Sequence, residues 1–253
     1  MLVVQTLPPP TSNTWYLAYG SNLSAAKFIH DRGIVPLDTA TVTVPGWILT
    51  LDSAGFPYSE PAFGSITPIQ ETRKEKAVQL IGTAYQLTPE MYAKVLASEG
   101  GGIAYAEVEV RAELVTQDAA EYAQGEATTF PTRSLVTLLR NEARPSSRYM
   151  GILRTGASES DMPIAYQKFL AEIPVYHPPT RLRQSIGAAI FLSFWRPVMS
   201  TMEKITKASV KGSKTGDAPR WVVIIVRAAV VIMWLHHDLI HAPIWGRGDG
   251  LEN

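Results

Sequence analysis

The segment Leu96-Ala97-Ser98-Glu99-Gly100-Gly101-Gly102 places one carboxylate between the end of a helix-forming run and three successive glycines. Glycine lets a backbone approach a ligand closely and leaves a neighbouring side chain poorly screened, so Glu99 is a carboxylate that could face a ligand. From spacing alone the same run also reads as a solvated glutamate at a helix C-terminus, because glycine so often marks helix ends. A second element lies upstream. Tyr19-Gly20-Ser21-Asn22-Leu23 follows the apolar run Trp15-Tyr16-Leu17-Ala18. A Gly-Ser-Asn turn at a strand end offers consecutive backbone N–H groups, with Gly20 free to take a positive φ. Such a concave row of amides suits an anion, a carboxylate or a phosphate.

Other residues point to less. The chain has no cysteine, which removes disulfides, thiolate nucleophiles and cysteine metal sites. His237 and His241 stand four apart and share a helix face, but no further ligand follows at a convincing spacing. They read as residues that order a helix end, and Asp238 and Asp249 as caps or partners of Arg247. Glu60, in Phe56-Pro57-Tyr58-Ser59-Glu60-Pro61, is a second carboxylate in a constrained loop. The 23 basic residues balance 23 acidic ones, and no Lys/Arg cluster interleaves with aromatics, which argues against nucleic acid as partner. No basic segment followed by a long apolar core opens the chain, and a cytoplasmic location is expected.

The elements that must hold these residues suggest an α+β domain over 14–178, after a flexible segment 1–13 and before a helical extension 179–253 packed on it. Trp15–Tyr19 reads as a buried strand. Ala40–Val44 and Trp47–Leu51 flank a turn at Pro45-Gly46. Val78–Leu87 is a strand, then Thr88 caps a helix with Pro89 in its first turn, running through Leu96. Tyr105–Leu114 alternates as a half-buried strand does. Ser146–Ala157 reads as loop, and Pro163–Glu172 as helix. Beyond Pro178-Pro179 two apolar helices are expected, Gln184–Phe194 and Trp221–Leu235, joined by a flexible polar loop over Lys204–Asp217. Trp221–Leu235 carries Arg227 and is shorter than the roughly 20 apolar residues a spanning helix needs, which makes it a buried or interfacial helix.

Taken together, Tyr19–Leu23, the helix leading into Glu99-Gly100 and Tyr105 at the start of the next strand resemble the gamma-glutamylcyclotransferase family. Pro145-Ser146-Ser147-Arg148-Tyr149, Thr155-Gly156-Ala157, Pro163-Ile164-Ala165-Tyr166 and Lys168-Phe169-Leu170 continue the resemblance, over roughly residues 14–175. It implies a small mixed β-barrel with flanking helices and a reaction that needs no cofactor and no metal. In that reaction a γ-glutamyl amide is cleaved by its own α-amino group, giving 5-oxoproline and a free amine. The resemblance makes Glu99 the acid/base and gives Tyr19, Gly20, Ser21, Asn22, Leu23, Tyr105 and Tyr149 to the substrate. For the tyrosines, a role as packed aromatic residues is equally consistent with the sequence. The His-Asp segment and the Trp245-Gly246-Arg247-Gly248-Asp249-Gly250 ending resemble extended fungal members found in secondary-metabolite pathways. That implies a bulky small-molecule γ-glutamyl substrate, such as a glutathione adduct. Two other readings stay open: another proton transfer in the same pocket, or a non-catalytic protein whose apolar helices bind a metabolite or a membrane. A weak membrane-surface contact through those helices, and a homodimer, also stay open.

Overall fold

The structure is a computed structural model that describes residues 7–71, 77–115, 129–211 and 213–251; part of the expected N-terminal segment, residues 1–6, lies outside the described residues. Six strands form one sheet: β1 (Thr14–Ala18), β2 (Asp38–Phe56), β3 (Glu60–Pro68), β4 (Gln79–Leu87), β5 (Tyr105–Leu114) and β6 (Thr129–Thr137). Their order is β3-β2-β4-β1-β6-β5, and a further pairing of β2 with β5 at Val42–Thr43 closes the sheet into a small barrel. All ladders are antiparallel except β1 with β6.

Alternation along β1 builds two cores. Leu17 points into the barrel with Val42, Val44, Ile66, Leu80, Ala84, Val110 and Val136, whereas Tyr16 and Ala18 point outward. There they meet α1 (Ala25–Arg32) and α2 (Pro89–Ser98) through Phe28, Tyr92 and Val95. Phe28 stacks on Tyr85 with ring centroids 4.3 Å apart. Each such fully buried side chain contributes about 1.5–3 kcal/mol from burial.

The structure corrects several sequence expectations. Pro45-Gly46 is no hairpin turn: β2 continues through it, with Gly46 at φ 77° and the register broken between Val44 and Ile48. The bend lets one strand leave β4 and pair onward with β3. Ser146–Ala157 is helical, not loop. Ser146 caps α3 (Ser147–Glu159) by accepting from the Tyr149 N–H at 3.0 Å. Its buried residues Tyr149, Met150, Leu153 and Ala157 follow the helical period. α4 (Ile164–Glu172) follows.

The extension is longer in helix than expected. α5 runs Leu182–Val210 and takes in Lys204–Val210, because Met202 and Ile205 pack beside Ile103 and Val222 and Glu203 pairs with Lys207 one turn on. α6 (Arg220–His236) continues through a π-helical turn (His237–His241) into α7 (Ala242–Trp245). The resulting 26-residue helix is, among the described residues, the one long and apolar enough to cross a membrane, which corrects the shorter segment expected from sequence.

The final strap fastens this hairpin to the barrel. The Tyr58 N–H donates to Gly248 O at 2.7 Å and the Arg144 N–H to Asp249 O at 2.8 Å. Below it, His237 Nε2 accepts from the Gly248 N–H at 3.0 Å and Nδ1 donates to Asp238 at 2.8 Å. His237, Asp238 and Asp249 have ligand atoms within 4.8 Å of one another. Both ring nitrogens are nevertheless in use, and the Arg247 guanidinium bonds both aspartates. A guanidinium fills this cluster. His241 donates from Nε2 to Gly187 O at 2.8 Å.

Burial lowers the pKa of both His237 and His241 below the ordinary imidazole value. The folded protein therefore holds them neutral where the unfolded chain would bind protons. This contribution to stability is fully present above about pH 6.5 and is lost as the pH falls below it. The unfolding midpoint is expected to drop on acidification from about pH 7.5 to about pH 5.5, with a shallower slope in His241→Gln. A midpoint that is flat across that range in the parent protein contradicts the assignment.

Candidate active site

Glu99 is the C-cap of α2, and its own N–H is tied to Val95 O at 3.0 Å. Its side chain is 20% exposed. The carboxylate is held through one oxygen: Oε1 accepts from Asn22 Nδ2 at 3.0 Å and from the Arg32 guanidinium at 2.7 Å. Oε2 has no partner among the described residues. Arg32 also bonds Asn22 Oδ1, closing a three-residue ring.

Arg32 was missed by the sequence reading. Its signal was present but unremarkable: Ser24 caps α1, Gly33 ends it at φ 61°, and Arg32 stands in the last turn, where a cation is favoured.

The Tyr19–Leu23 turn reaches the site chiefly through Asn22. The side-chain amide of Asn22 also donates to Tyr16 Oη at 3.0 Å, and the Asn22 backbone carbonyl accepts from Tyr85 Oη at 3.0 Å. Asn22 is thus fixed by four neighbours and works as a holder of Glu99. The turn closes with the Leu23 N–H on Gly20 O at 2.9 Å. The N–H groups of Gly20, Ser21 and Asn22 find no acceptor among the described residues.

Gly20 does not take the left-handed φ expected of it. Its reason is space, since a Cβ there would lie 2.9 Å from the Tyr149 hydroxyl. Gly64 of β3 is constrained in the same way, at 2.8 Å.

The tyrosines surround the Gly64 peptide. Tyr149 Oη accepts from the Gly64 N–H at 2.9 Å, and Tyr105 Oη donates to Gly64 O at 3.0 Å. Tyr19 donates to Leu135 O. Burial pushes the phenols of Tyr19, Tyr105 and Tyr149 above their ordinary pKa, so all three stay protonated. Leu23 is a core residue, 1% exposed. Glu60 is bound by Ser146 and by Arg148 Nε, the latter at 2.6 Å, which makes it a tie between β3 and α3.

A cavity of about 300 Å³ opens beside Glu99, lined also by Tyr105, Gly102, Glu107, Asp217 and Arg227. Two of these come from the extension. Arg227 donates from Nε to Ile103 O and from its terminal nitrogen to Gly102 O, both at 2.8 Å. The three glycines after Glu99 all take positive φ. The close approach at Gly101 is to the extension rather than to a ligand: its Cβ would meet Ala218 N at 2.7 Å and Gly216 O at 2.8 Å. Ala218 N–H donates to Gly101 O at 2.9 Å. The extension therefore grips the loop that follows Glu99 and supplies a wall of the cavity.

Residues 181–244 match the family model described as the AclK C-terminal domain. The chain is 42% identical to the gamma-glutamyl cyclotransferase aclK of Aspergillus oryzae, over 94% of this chain and 90% of that relative. It is 36% identical to the gamma-glutamyl cyclotransferase gliK of Aspergillus fumigatus, over 96% of this chain and 92% of that one. A solved structure of a gamma-glutamyl cyclotransferase matches with a TM-score of 0.51 at 20% identity, over 67% of this chain and 92% of its own, which is a likeness of fold. With aligned relatives over nearly its whole length, the chain belongs to the gamma-glutamyl cyclotransferase family of enzymes.

Proposed function

We propose that the enzyme cleaves a γ-glutamyl amide by intramolecular aminolysis and releases 5-oxoproline, with Glu99 as the proton carrier. The observation that carries this reading is the split role of the Glu99 carboxylate. Oε1 is fixed by Asn22 and Arg32, while Oε2 is unpartnered on a side chain that lines the cavity. A substrate α-ammonium cannot attack until a base removes a proton, and a held carboxylate with one open oxygen supplies that base. The freed amine attacks the γ-carbonyl carbon, a C–N bond forms to close the five-membered ring, and the amide C–N bond breaks. Glu99 then returns the proton to the departing amine.

Holding amine and carbonyl together supplies much of the acceleration, up to about 7–11 kcal/mol where the geometry is favourable. The unpartnered amides of Gly20–Asn22 suit the α-carboxylate or the developing oxyanion.

The leaving half of the substrate meets the extension. Arg227 donates to two backbone carbonyls and is one of the residues that line the cavity. A guanidinium there favours an amine half that carries a carboxylate, as in a glutathione-derived conjugate.

Incubation with a panel of γ-glutamyl dipeptides and glutathione conjugates, read by 5-oxoproline release, tests the reading. Arg227→Ala is expected to raise KM about tenfold for substrates with a carboxylate on the amine half and to leave their amidated counterparts nearly unchanged. Equal losses on both would remove Arg227 from recognition. No 5-oxoproline from any substrate would sink the proposed reaction.

A further inference from the structure

The outer face of the C-terminal hairpin is apolar along the helix Arg220–Trp245 and along the first half of α5, as far as Phe194. Of twenty large hydrophobic residues exposed in the described chain, thirteen fall between Leu182 and Ile244. On the 26-residue helix Arg220–Trp245 they are Trp221, Ile224, Ile225, Val231, Ile232, Leu235, Leu239, Ile240 and Ile244. Its most apolar stretch has a mean hydropathy of 1.8 and is only 22% buried. Leu182, Ile186, Ile190 and Phe194 add a second stripe on α5, at fourfold spacing. A face of this size and continuity, about 39 Å long at helical rise, does not stay in water without an occupant.

We infer that this face lies in the plane of an anionic bilayer, seated at the boundary between headgroups and acyl chains. Charge identifies the occupant. Residues 181–253 carry ten Lys and Arg against five Asp and Glu, while the rest of the chain carries the opposite excess, since the whole is neutral. Lys211, Lys214 and Arg220 stand exposed where the hairpin turns, and Arg181 and Arg183 at its other end. Apolar residues on one face, bases at the margins and an exposed Trp221 beside Arg220 are what an interfacial helix needs.

The opposite face decides against spanning. Arg227 holds Gly102 and Ile103, Trp234 Nε1 donates to Gly55 O at 3.1 Å, and His237 and His241 are buried against the domain. Crossing a bilayer would break every one of these contacts. Lying on it breaks none.

Co-sedimentation of the full chain with phosphatidylcholine vesicles, with and without phosphatidylserine, tests this. The protein is expected to pellet with the serine-containing vesicles, to be released by high salt and to be extracted by alkaline carbonate. Ile224→Glu with Ile232→Glu and Leu239→Glu should stay in the supernatant with an unchanged unfolding midpoint. Should that variant fail to fold, Lys211→Glu with Lys214→Glu and Arg220→Glu should weaken binding to anionic vesicles at least about tenfold. Three results overturn the inference: no pelleting with either vesicle, resistance to carbonate, or a lipid-free dimer that the glutamate substitutions dissolve while vesicles are ignored. None of these readouts depends on the reaction proposed above.

Discussion

Glu99→Gln is expected to lower kcat by about a thousandfold while the protein stays folded. Glutamine keeps the shape, and its carbonyl oxygen can still accept from Asn22 and Arg32, which bond Oε1 at 3.0 Å and 2.7 Å. What it cannot do is take a proton from an ammonium group. The loss should therefore fall on kcat, with KM changed little, and the unfolding midpoint should stay close to that of the parent. Steady-state kinetics beside a thermal melt make the comparison. A variant that keeps more than about a tenth of the parent kcat would remove Glu99 from proton transfer.

The second large effect is on stability and has the opposite sign from helix propensity. Alanine normally stabilises an exposed helix position relative to glycine, by about 0.5–1 kcal/mol. At Gly156 in α3 a Cβ would lie 2.7 Å from Ser24 N and 3.0 Å from Leu23 C. Those are backbone atoms of the segment that carries Asn22, and they cannot swing aside. Gly156→Ala is expected to cost about 2 kcal/mol and to lower kcat/KM as the turn is displaced. Gly151 supplies the control, because a Cβ there meets nothing within 4 Å in the same helix. Gly151→Ala should stabilise by about 0.5–1 kcal/mol. Chemical denaturation of the two variants checks both signs. Equal changes would show that the contact of α3 with the turn is soft.

Which parts of this protein can be read from its residues follows from how local each signal is. Thr88 with Pro89 is a self-contained start signal, and α2 begins there, with the Thr88 hydroxyl accepting from Met91 N–H. The alternation of Tyr105–Leu114 likewise specifies β5 without help. α3 was hidden because Gly151 and Gly156 lower helix propensity, and tertiary contact with Leu23 and Ser24 overrides it. Pro45-Gly46 looked like a turn because a strand that changes partner needs the same residues as a strand that reverses.

At the site, the pairing of the Tyr19–Leu23 turn with Glu99 was legible through resemblance. How the two are joined was not. Arg32 carries no signal apart from its place at a helix end, and its contact with Glu99 spans 67 residues. The glycines after Glu99 suggested a ligand, whereas Gly101 makes room for residues more than a hundred positions later. Such long-range reasons leave no local trace.

The most direct test of the central claim is the fate of the γ-carbonyl carbon in water enriched in oxygen-18. Intramolecular attack by the substrate's own amine closes the ring without water. Unlabelled 5-oxoproline is therefore expected in amounts equal to the amine released, with no turnover of a substrate whose α-amine is acetylated. Release of glutamate carrying oxygen-18, or turnover of the acetylated substrate, would contradict it.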